Sequence, residues 1–294
     1  MISANILFPS DYFNNDIPDE IYREEYEEVK VNEMLNPILF NFEKFKDNKE
    51  LSIKGDLSHK EVPLVYRGWM LKDDEYRTLY TALINMNLKP INNPSEYNRF
   101  HMFANAYYKY ETIQVNSTKL LAFKENQNIN VTIINDSFDS FMLKDYVKSL
   151  KDTEFPSRIS TPLTQQELNS LLKEFNRLRG ELFQSGYTFK QLADLKTYNG
   201  NTNEYRLFVL NNKILSLDAN SNQPLNLNKP PKSLIESLTN LDSNFYTIDF
   251  AETKDENKKW IILETGDGQV SGLPAACDIK YFYTKLIQIL RPQR

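Results

Sequence analysis

Short blocks of apolar and polar residues follow one another along the chain, and their spacing predicts both strands and helices. Residues 4–8 and 63–71 are apolar runs of strand length. Residues 73–87 open with acidic side chains and place large apolar side chains at helical spacing, which predicts an amphipathic helix. A segment rich in Pro and Asn follows and predicts a domain boundary near residue 95.

The remaining two thirds of the chain mix strands and helices in the same way. The same signals predict strands at 130–135, 141–144 and 187–195, a helix at 165–182, a hairpin at 205–217, a loop at 220–231 and a short helix at 232–241. Strands and helices alternate without regular βαβ units, so the predicted class is α+β. The boundary gives a small N-terminal α/β domain at 1–95 and a larger domain at 96–294.

Two successive apolar strands near the C-terminus each carry one acidic residue. Asp249 lies between apolar neighbours in residues 245–251, and Glu264 leads directly into a glycine-rich turn. If the strands form an antiparallel hairpin with Asp249 opposite residue 262 or 264, both carboxylates share one face, whereas a one-residue slip separates them. Such a pair predicts a magnesium site with Asp267 as a further oxygen donor. The alternative is an ordinary Asp-Gly turn beside a solvated glutamate.

Three cationic residues stand at positions where an anion is the natural partner. Lys144 ends an apolar strand, and Lys148 follows at a spacing that brings both ammonium groups to one anion if the turn is tight. Arg206 lies inside an apolar strand, where an unpaired charge is costly. Together with the predicted magnesium pair these cations fit a triphosphate, although each could instead pair with a surface acid.

Composition narrows the class of protein. A formal net charge of −5 and a pI of about 5.3 argue against nucleic-acid binding, which needs clustered Lys and Arg. His59, His101 and Cys277 are too few for a structural zinc site and are predicted to be packing residues. The chain has no basic leader and no apolar run of ~20 residues, so we expect a cytoplasmic protein without membrane contact. Nothing in the sequence predicts its oligomeric state.

The order of the charged motifs resembles that of the ATP-grasp superfamily. The motifs are FMLKDYVKS at 141–149, EYRLFVL at 204–210, FYTIDFA at 245–251 and WIILETGDGQVSGLP at 260–274. The chain is most similar to a little-characterised bacterial and phage clade named for two arginines and a lysine. This resemblance implies two α+β subdomains that grip ATP, a lid at about 130–190 and a C-terminal subdomain at about 191–294.

The resemblance also assigns roles to the charged residues. Lys144 is implied to contact the phosphates of ATP, with Lys148 as an auxiliary cation. Arg206 matches the arginine that meets the γ-phosphate and the acyl phosphate. Asp249 and Glu264 match the two carboxylates that bind magnesium or manganese.

At the hinge strand YTFKQLADL, the resemblance implies that the backbone of Gln191, Leu192 and Ala193 meets the adenine. Arg67, in the motif YRGWML, is the candidate for the remaining clade arginine and for a contact to the acceptor substrate. Arg99 is the second choice for that role.

Two positions depart from the family pattern. The family has an Asn two residues after the metal-binding Glu, whereas this chain has Gly266 there, which makes Asp267 the candidate replacement. The usual Arg-Glu pair of the hinge is replaced by Lys190 and Gln191.

The family resemblance implies an ATP- and magnesium-dependent ligase. Such an enzyme joins the carboxylate of a small molecule or peptide to an amine, or to a similar nucleophile, through an acyl phosphate. The two departures leave open a catalytically inactive ATP-grasp-like protein that binds a nucleotide or peptide. A further alternative is an interaction protein that uses the aromatic segment 100–110 as its contact surface, but such a run at helical spacing more often packs inside.

Overall fold

A five-stranded sheet, two four-stranded sheets and a two-stranded ribbon organise the chain in the computed structural model. The structure describes residues 1–112, 115–150, 153–224 and 226–291. The class is α+β, as the sequence predicted. Within these ranges no helix combines the length and the apolar character needed to cross a membrane.

The N-terminal sheet is built around one buried central strand. Its strands and the helices of the same region are β1 (Ala4–Pro9), β2 (Leu35–Phe40), β3 (Ile53–Lys54), β4 (Pro63–Tyr66), β5 (Lys89–Pro90), α1 (Arg23–Val31), α2 (Phe42–Asn48), α3 (Asp73–Asn85), α4 (Pro94–His101) and α5 (Phe103–Thr112). β1 pairs in parallel with β2 and β4. Every residue of β1 is buried, because one face packs on α1 and the other on α3.

The predictions for this region hold with shifted boundaries. The strand predicted at 4–8 is confirmed, and the helix predicted at 73–87 ends at Asn85. Asn87 follows with a φ of 60°, a left-handed conformation that Asn tolerates and that ends the helix.

The strand predicted at 63–71 is shorter than expected and ends at Tyr66. The chain leaves the sheet there, since the backbone N–H of Gly68 donates to the carbonyl of Gln269 at 3.2 Å. A distant loop therefore replaces the neighbouring strand as its partner.

The lid sheet is the four-stranded sheet in the order β6-β9-β7-β8. This region consists of β6 (Leu120–Lys124), α6 (Val131–Ser137), β7 (Ser140–Asp145), β8 (Ile159–Ser160), α7 (Gln165–Arg179) and β9 (Gly186–Gln191). All its pairs are antiparallel. One face packs on α6 and α7 around Phe141, Leu143 and Phe189. Because side chains alternate, the other face carries Lys144 and Lys190.

The prediction of a strand at residues 130–135 is wrong, because this segment forms the helix α6 (Val131–Ser137). Asn130 accepts a hydrogen bond from the backbone N–H of Thr132 at 2.9 Å and caps the helix. Ile134 is fully buried in the lid core. A short apolar run is compatible with a strand or a helix. Here the Asn130 cap and the buried contacts of Ile134 favour the helix.

The helix predicted at 165–182 begins as expected but ends earlier. Thr164 and Glu167 form a capping box at its start. α7 ends at Arg179, and a 3₁₀ turn follows at Gly180–Leu182. Further 3₁₀ turns lie at Glu20–Tyr22 and Glu256–Lys258.

The C-terminal sheet is antiparallel, with the strand order β13-β12-β14-β15. The elements of this region are β10 (Thr197–Tyr198), β11 (Asn201–Thr202), β12 (Glu204–Leu210), β13 (Lys213–Ala219), α8 (Lys232–Ser237), β14 (Phe245–Glu252), β15 (Trp260–Asp267) and α9 (Ile279–Leu290). The predicted hairpin is confirmed: Asn211 and Asn212 form its turn with φ values of 47° and 59°.

The N-terminal and C-terminal sheets share one hydrophobic core. Ile6 and Phe8 of β1 lie in the same cluster as Phe208 of β12 and Phe282 of α9. The lid has a core of its own. The predicted domain limits stay predictions. The lid sheet begins with β6 at Leu120, before the predicted start of the lid at about 130.

Arg67 and Glu25 form a buried ion pair that ties β4 to α1. Nε and Nη2 of Arg67 donate to the two oxygens of Glu25, each at 2.9 Å. Nη1 donates to the carbonyls of Gly268 at 2.6 Å and Ser271 at 2.8 Å. The hydroxyl of Tyr283, on α9, donates to Glu25 at 2.6 Å. The loop that follows β15 is therefore fastened to the N-terminal domain.

Replacing Arg67 by Met should lower the free energy of unfolding by about 3–5 kcal/mol, because the Glu25 carboxylate would stay buried without its partner. Urea denaturation measures the loss. Adding Glu25→Gln should recover part of it. The control is Arg77→Met, because that guanidinium is exposed and its contact to Asp73 is long, at 3.4 Å. This substitution should change the free energy of unfolding by less than about 0.5 kcal/mol. Equal losses of unfolding free energy in Arg67→Met and Arg77→Met would contradict the stabilising role of the buried ion pair.

Candidate functional site

A row of charged side chains crosses three neighbouring strands of the C-terminal sheet. The register places Arg206 of β12 opposite Asp249 of β14, and Asp249 opposite Glu264 of β15. Residues directly opposite one another in antiparallel strands share a face of the sheet. The register on which the predicted carboxylate pair depends is thus the one observed.

Arg206 and Asp249 form a two-point ion pair within this row. Nε and Nη2 of Arg206 donate to the two carboxylate oxygens at 2.8 and 2.7 Å. Nη1 donates to the carbonyl of Gly272 at 2.9 Å, and the amide of Asn220 donates to Asp249 at 3.3 Å. Burial opposes the charge on Arg206, but Asp249 and Glu264 outweigh it and raise the pKa of the guanidinium. The arginine is held charged and in a fixed orientation.

The lid sheet turns its polar face toward this row. Lys144 of β7 lies opposite Thr188 of β9, two residues before Lys190, so both lysines share that face. The ammonium group of Lys144 forms an ion pair with Glu264 and lies 4.5 Å from the ring centroid of Phe103. Cations of the lid and carboxylates of the C-terminal sheet therefore meet at one place.

Lys148 reaches the same site from a tight turn after β7. The carboxylate of Asp145 organises this turn by accepting hydrogen bonds from the backbone N–H of Val147 at 2.7 Å and of Lys148 at 2.6 Å. Asp145 is in turn held by Arg179 of α7 at 2.6 Å. Burial lowers the pKa of Lys148. The structure brings Lys144 and Lys148 together, as their spacing predicted.

Burial and neighbouring charges set the protonation of Glu264 and Lys190. Burial raises the pKa of Glu264, but the ammonium groups of Lys144, Lys190 and Lys148 outweigh it and lower the pKa to about 2. Lys190 is only 8% exposed, and burial together with Lys144 lowers its pKa to about 8. At neutral pH the site thus holds an ionised glutamate beside a lysine that loses its proton more easily than usual.

A cavity of about 510 Å³ lies beside the segment that follows β9, where the hinge was predicted. Gln191, Leu192 and Ala193 line it, together with Ser117, Thr118, Asp194, Thr253, Lys254, Asp255 and Ile261. The backbone of Leu192 and Ala193 makes no hydrogen bond to the part of the chain that the structure describes, whereas the N–H of Gln191 donates to the carbonyl of Lys119 at 2.8 Å. The cavity has the size of a small-molecule site, and free backbone groups line its edge.

A second, smaller cavity of about 90 Å³ lies at the charged row. Its lining residues are Met70, His101, Val147, Lys148, Arg206, Thr247, Asp249, Glu264, Thr265, Gly266, Asp267, Val270, Ser271 and Gly272. His101 is buried, and its Nε2 has no partner among the residues described. Burial and the nearby Lys148 lower its pKa to about 3, so the imidazole is neutral.

Asp267 lies on the other face of β15 from Glu264, opposite Tyr246. Its carboxylate accepts hydrogen bonds from the amide of Asn92 at 2.6 Å and from the backbone and side chain of Gln269 at 2.9 and 3.1 Å. Burial raises its pKa to about 7. The candidate third metal ligand is thus occupied in a contact with the N-terminal domain.

Neither of the two arginines considered for the acceptor substrate lines either cavity. Arg67 is fully buried, and its donors are engaged by Glu25 and by backbone carbonyls. Arg99 donates to the carbonyl of Asp242. For Arg67 this geometry favours a positioning role, since it holds the loop that lines the small cavity.

The aromatic segment at 100–110 is turned inward where its side chains are described. Phe100, Phe103 and Tyr107 are all buried. The side chains of residues 108–110 lie outside the described part of the structure.

Several residues of the site were not predicted as site residues, although Lys190 was noted as a departure from the family pattern at the hinge. Lys190 carried the same signal as Arg206, a charge within a buried strand, and Thr247 precedes Asp249 by two residues and so shares its face. Ser271 and His101 gave no such signal, because only the tertiary fold brings them to the small cavity.

The oxygen atoms of the small cavity fit a hard divalent cation. Asp249 and Glu264 provide carboxylates on one face, and the hydroxyls of Thr247 and Ser271 line the same cavity. Mg²⁺ and Mn²⁺ prefer such oxygen ligands. Among the described residues, no three His, Cys, Asp or Glu side chains are grouped to hold a metal.

Comparisons with known proteins give a family match over more than half of the chain. The profile that matches residues 132–286 describes an ATP-grasp domain, the third family of the clade named for two arginines and a lysine. No curated protein matches the chain.

Solved structures of the same fold span nearly the whole chain. D-alanyl-alanine synthetase A from Vibrio cholerae O1 biovar eltor has a TM-score of 0.62 at 10% identity, covering 99% of each chain. The macrocyclase MdnC from Microcystis aeruginosa, bound with its precursor peptide MdnA, has a TM-score of 0.59 at 13% identity over 97% of this chain and 99% of that one. The ATP-grasp ligase PsnB, solved with a precursor variant, Mg and ADP, has a TM-score of 0.57 at 10% identity over 99% and 98%. At these identities the matches show the fold alone.

Lys190 provides a test of the charged site through pH. Its ammonium group is protonated below a pKa of about 8, so the affinity for a non-hydrolysable ATP analogue, measured by calorimetry, should fall as pH rises past that value. Lys190→Arg should flatten this alkaline loss because guanidinium stays charged. Lys190→Met should weaken binding about tenfold at pH 7. Lys173→Met, at an exposed lysine, serves as the control. An unchanged alkaline loss in Lys190→Arg would contradict the prediction that the charge of Lys190 contributes to nucleotide binding.

Proposed function

Because the chain belongs to the ATP-grasp proteins, in the third family of the clade named for two arginines and a lysine, we propose that it is an ATP- and magnesium-dependent ligase that joins a carboxylate to an amine. One observation carries the proposal: four cations, Lys144, Lys148, Lys190 and Arg206, converge on Asp249 and Glu264 between two sheets. Buried charges of both signs are costly to assemble, and a metal-bound triphosphate uses all of them.

The nucleotide would extend from the hinge cavity to the charged row. The adenine would lie in the 510 Å³ cavity against the backbone of Leu192 and Ala193. Its phosphates would meet Lys144, Lys148 and Lys190. Magnesium or manganese, held by Asp249 and Glu264, would neutralise charge on the β- and γ-phosphates.

In the reaction, the carboxylate of the donor attacks the γ-phosphorus of ATP, and the bond to the β-phosphate oxygen breaks to release ADP. Arg206 stabilises the negative charge on the transferred group. The nitrogen of the acceptor then attacks the acyl carbon, phosphate leaves, and an amide forms after loss of a proton. The unpartnered Nε2 of His101 is the candidate to receive a hydrogen bond from the acceptor in the small cavity.

The donor and the acceptor are proposed to be amino acids or peptides. The structures of similar fold include a D-alanyl-alanine synthetase, a macrocyclase bound with its precursor peptide, and an ATP-grasp ligase solved with a variant of its minimal precursor. In this fold the loops around the nucleotide site select the substrates, so the phosphate-binding residues do not name them.

A second candidate function is a nucleotide- or peptide-binding protein without turnover. The observation that favours it is the side-chain-free position Gly266, where the family carries a metal ligand. Calorimetry with an ATP analogue and magnesium separates the two functions. Tight binding without ADP formation favours this second function, and no binding at all contradicts both.

Glu264→Gln and Arg206→Met should each lower ADP release by about 100-fold or more, because the first removes a carboxylate that would hold the magnesium and the second removes the cation that would stabilise the transferred phosphoryl group. A coupled assay on mixtures of carboxylic acids and amines measures ADP. Glu236→Gln, on the exposed surface of α8, is the control and should keep the wild-type rate. Wild-type ADP release in both site variants would refute the assignment.

A further inference from the structure

We propose that the hydroxyl groups of Thr247 and Ser271 complete the magnesium site in this chain, in the place of a side chain at position 266. The inference deepens the proposed function, because it concerns the same metal site. It names the protein oxygens that would bind the metal together with the carboxylates of Asp249 and Glu264.

Position 266 is filled by its neighbours. Gly266 lies two residues beyond Glu264 on the same strand and directly opposite Thr247, which itself lies two residues before Asp249. All four positions therefore share one face of the sheet. A Cβ atom on Gly266 would lie 2.6 Å from Oγ of Ser271 and 2.9 Å from Oγ1 of Thr247. The two hydroxyls occupy the space in which any side chain at this position would begin.

The hydroxyl protons are both committed to protein acceptors. Oγ of Ser271 donates to the carbonyl of Asp267 at 2.8 Å. Oγ1 of Thr247 then donates its single proton either to Oγ of Ser271 at 2.8 Å or to the carbonyl of Gly266 at 3.3 Å.

With their protons so placed, both hydroxyls offer oxygen lone pairs to the small cavity. Within the described chain no other N–H or O–H group donates to either oxygen. Thr247 is buried and Ser271 is half-buried, so a cation in the cavity can take these lone pairs as ligands.

The other candidate for the third ligand is disfavoured by its position. Asp267 lies on the opposite face of β15, and its carboxylate is held by Asn92 and Gln269. Ser and Thr hydroxyls are established magnesium ligands in other phosphate-transferring sites. Two neutral hydroxyls thus take the place of the neutral carboxamide of the family's Asn, so the net charge of the metal site stays the same.

The test measures metal binding and not turnover. Electron paramagnetic resonance of Mn²⁺, recorded with the full chain and a saturating non-hydrolysable ATP analogue, gives the affinity for the metal. Thr247→Val and Ser271→Ala should each weaken Mn²⁺ binding about tenfold. Thr247→Ser keeps the hydroxyl and should bind as the wild type does. Gly266→Ala should also lose affinity, because its Cβ displaces both hydroxyls.

The same titrations separate this inference from the proposed function. If the wild type binds neither the nucleotide nor Mn²⁺, the proposed function fails. If the wild type binds both and Thr247→Val with Ser271→Ala binds Mn²⁺ equally well, the hydroxyls are not ligands and only the inference fails.

A rescue variant probes the replacement directly. Thr247→Ala and Ser271→Ala together vacate the space beside Gly266, since the Cβ of Ser271 lies at an ordinary 4.0 Å. Adding Gly266→Asn to this pair should recover Mn²⁺ affinity by restoring a carboxamide oxygen. Affinity that stays at the level of the double variant would contradict the replacement, and thermal denaturation checks that all variants are folded.

Discussion

The pairing of β14 with β15 is the constraint on which the site depends. Because the side chains of a strand alternate between two faces, this register alone decides whether Asp249 and Glu264 stand together. The next pairing, of β12 with β14, adds Arg206 to the same row. A shift of one residue in either pairing would bury these charges among apolar side chains on the other face, at a cost that the sheet cannot offset. The same strand register therefore places the apolar side chains on one face of the sheet and the charged row on the other.

The charges of the site neutralise one another across the gap between the two sheets. Lys144 of the lid pairs with Glu264, and Arg206 pairs with Asp249 within the C-terminal sheet. A metal and a triphosphate, if both bind, would substitute for these pairs, since the metal takes the carboxylates and the phosphates take the cations. The two ligands would then bind more tightly together than either does alone, because each releases the partner that the other requires.

Local sequence signals predicted the parts of the site that lie within single strands, and failed where the fold joins distant segments. A charge inside an apolar strand pointed to Arg206 and Asp249, and the two-residue turn at Asn211 and Asn212 fixed the hairpin. The helix at Val131–Ser137 was missed because its cap and its buried contacts outweigh its strand-like composition. Asp267 was assigned to the metal by its distance in sequence, but strand parity turns it to the other face.

The fastening of the loop after β15 by Arg67 divides the molecule into a fixed and a variable part. This loop, the N-terminal domain and the C-terminal sheet form one body through a shared core, whereas the lid is built on a separate one. Substitutions confined to the lid core therefore leave the separate apolar core of the C-terminal sheet unchanged. Sequence change in the lid is limited instead at Lys144, because its ion pair with Glu264 links the two bodies.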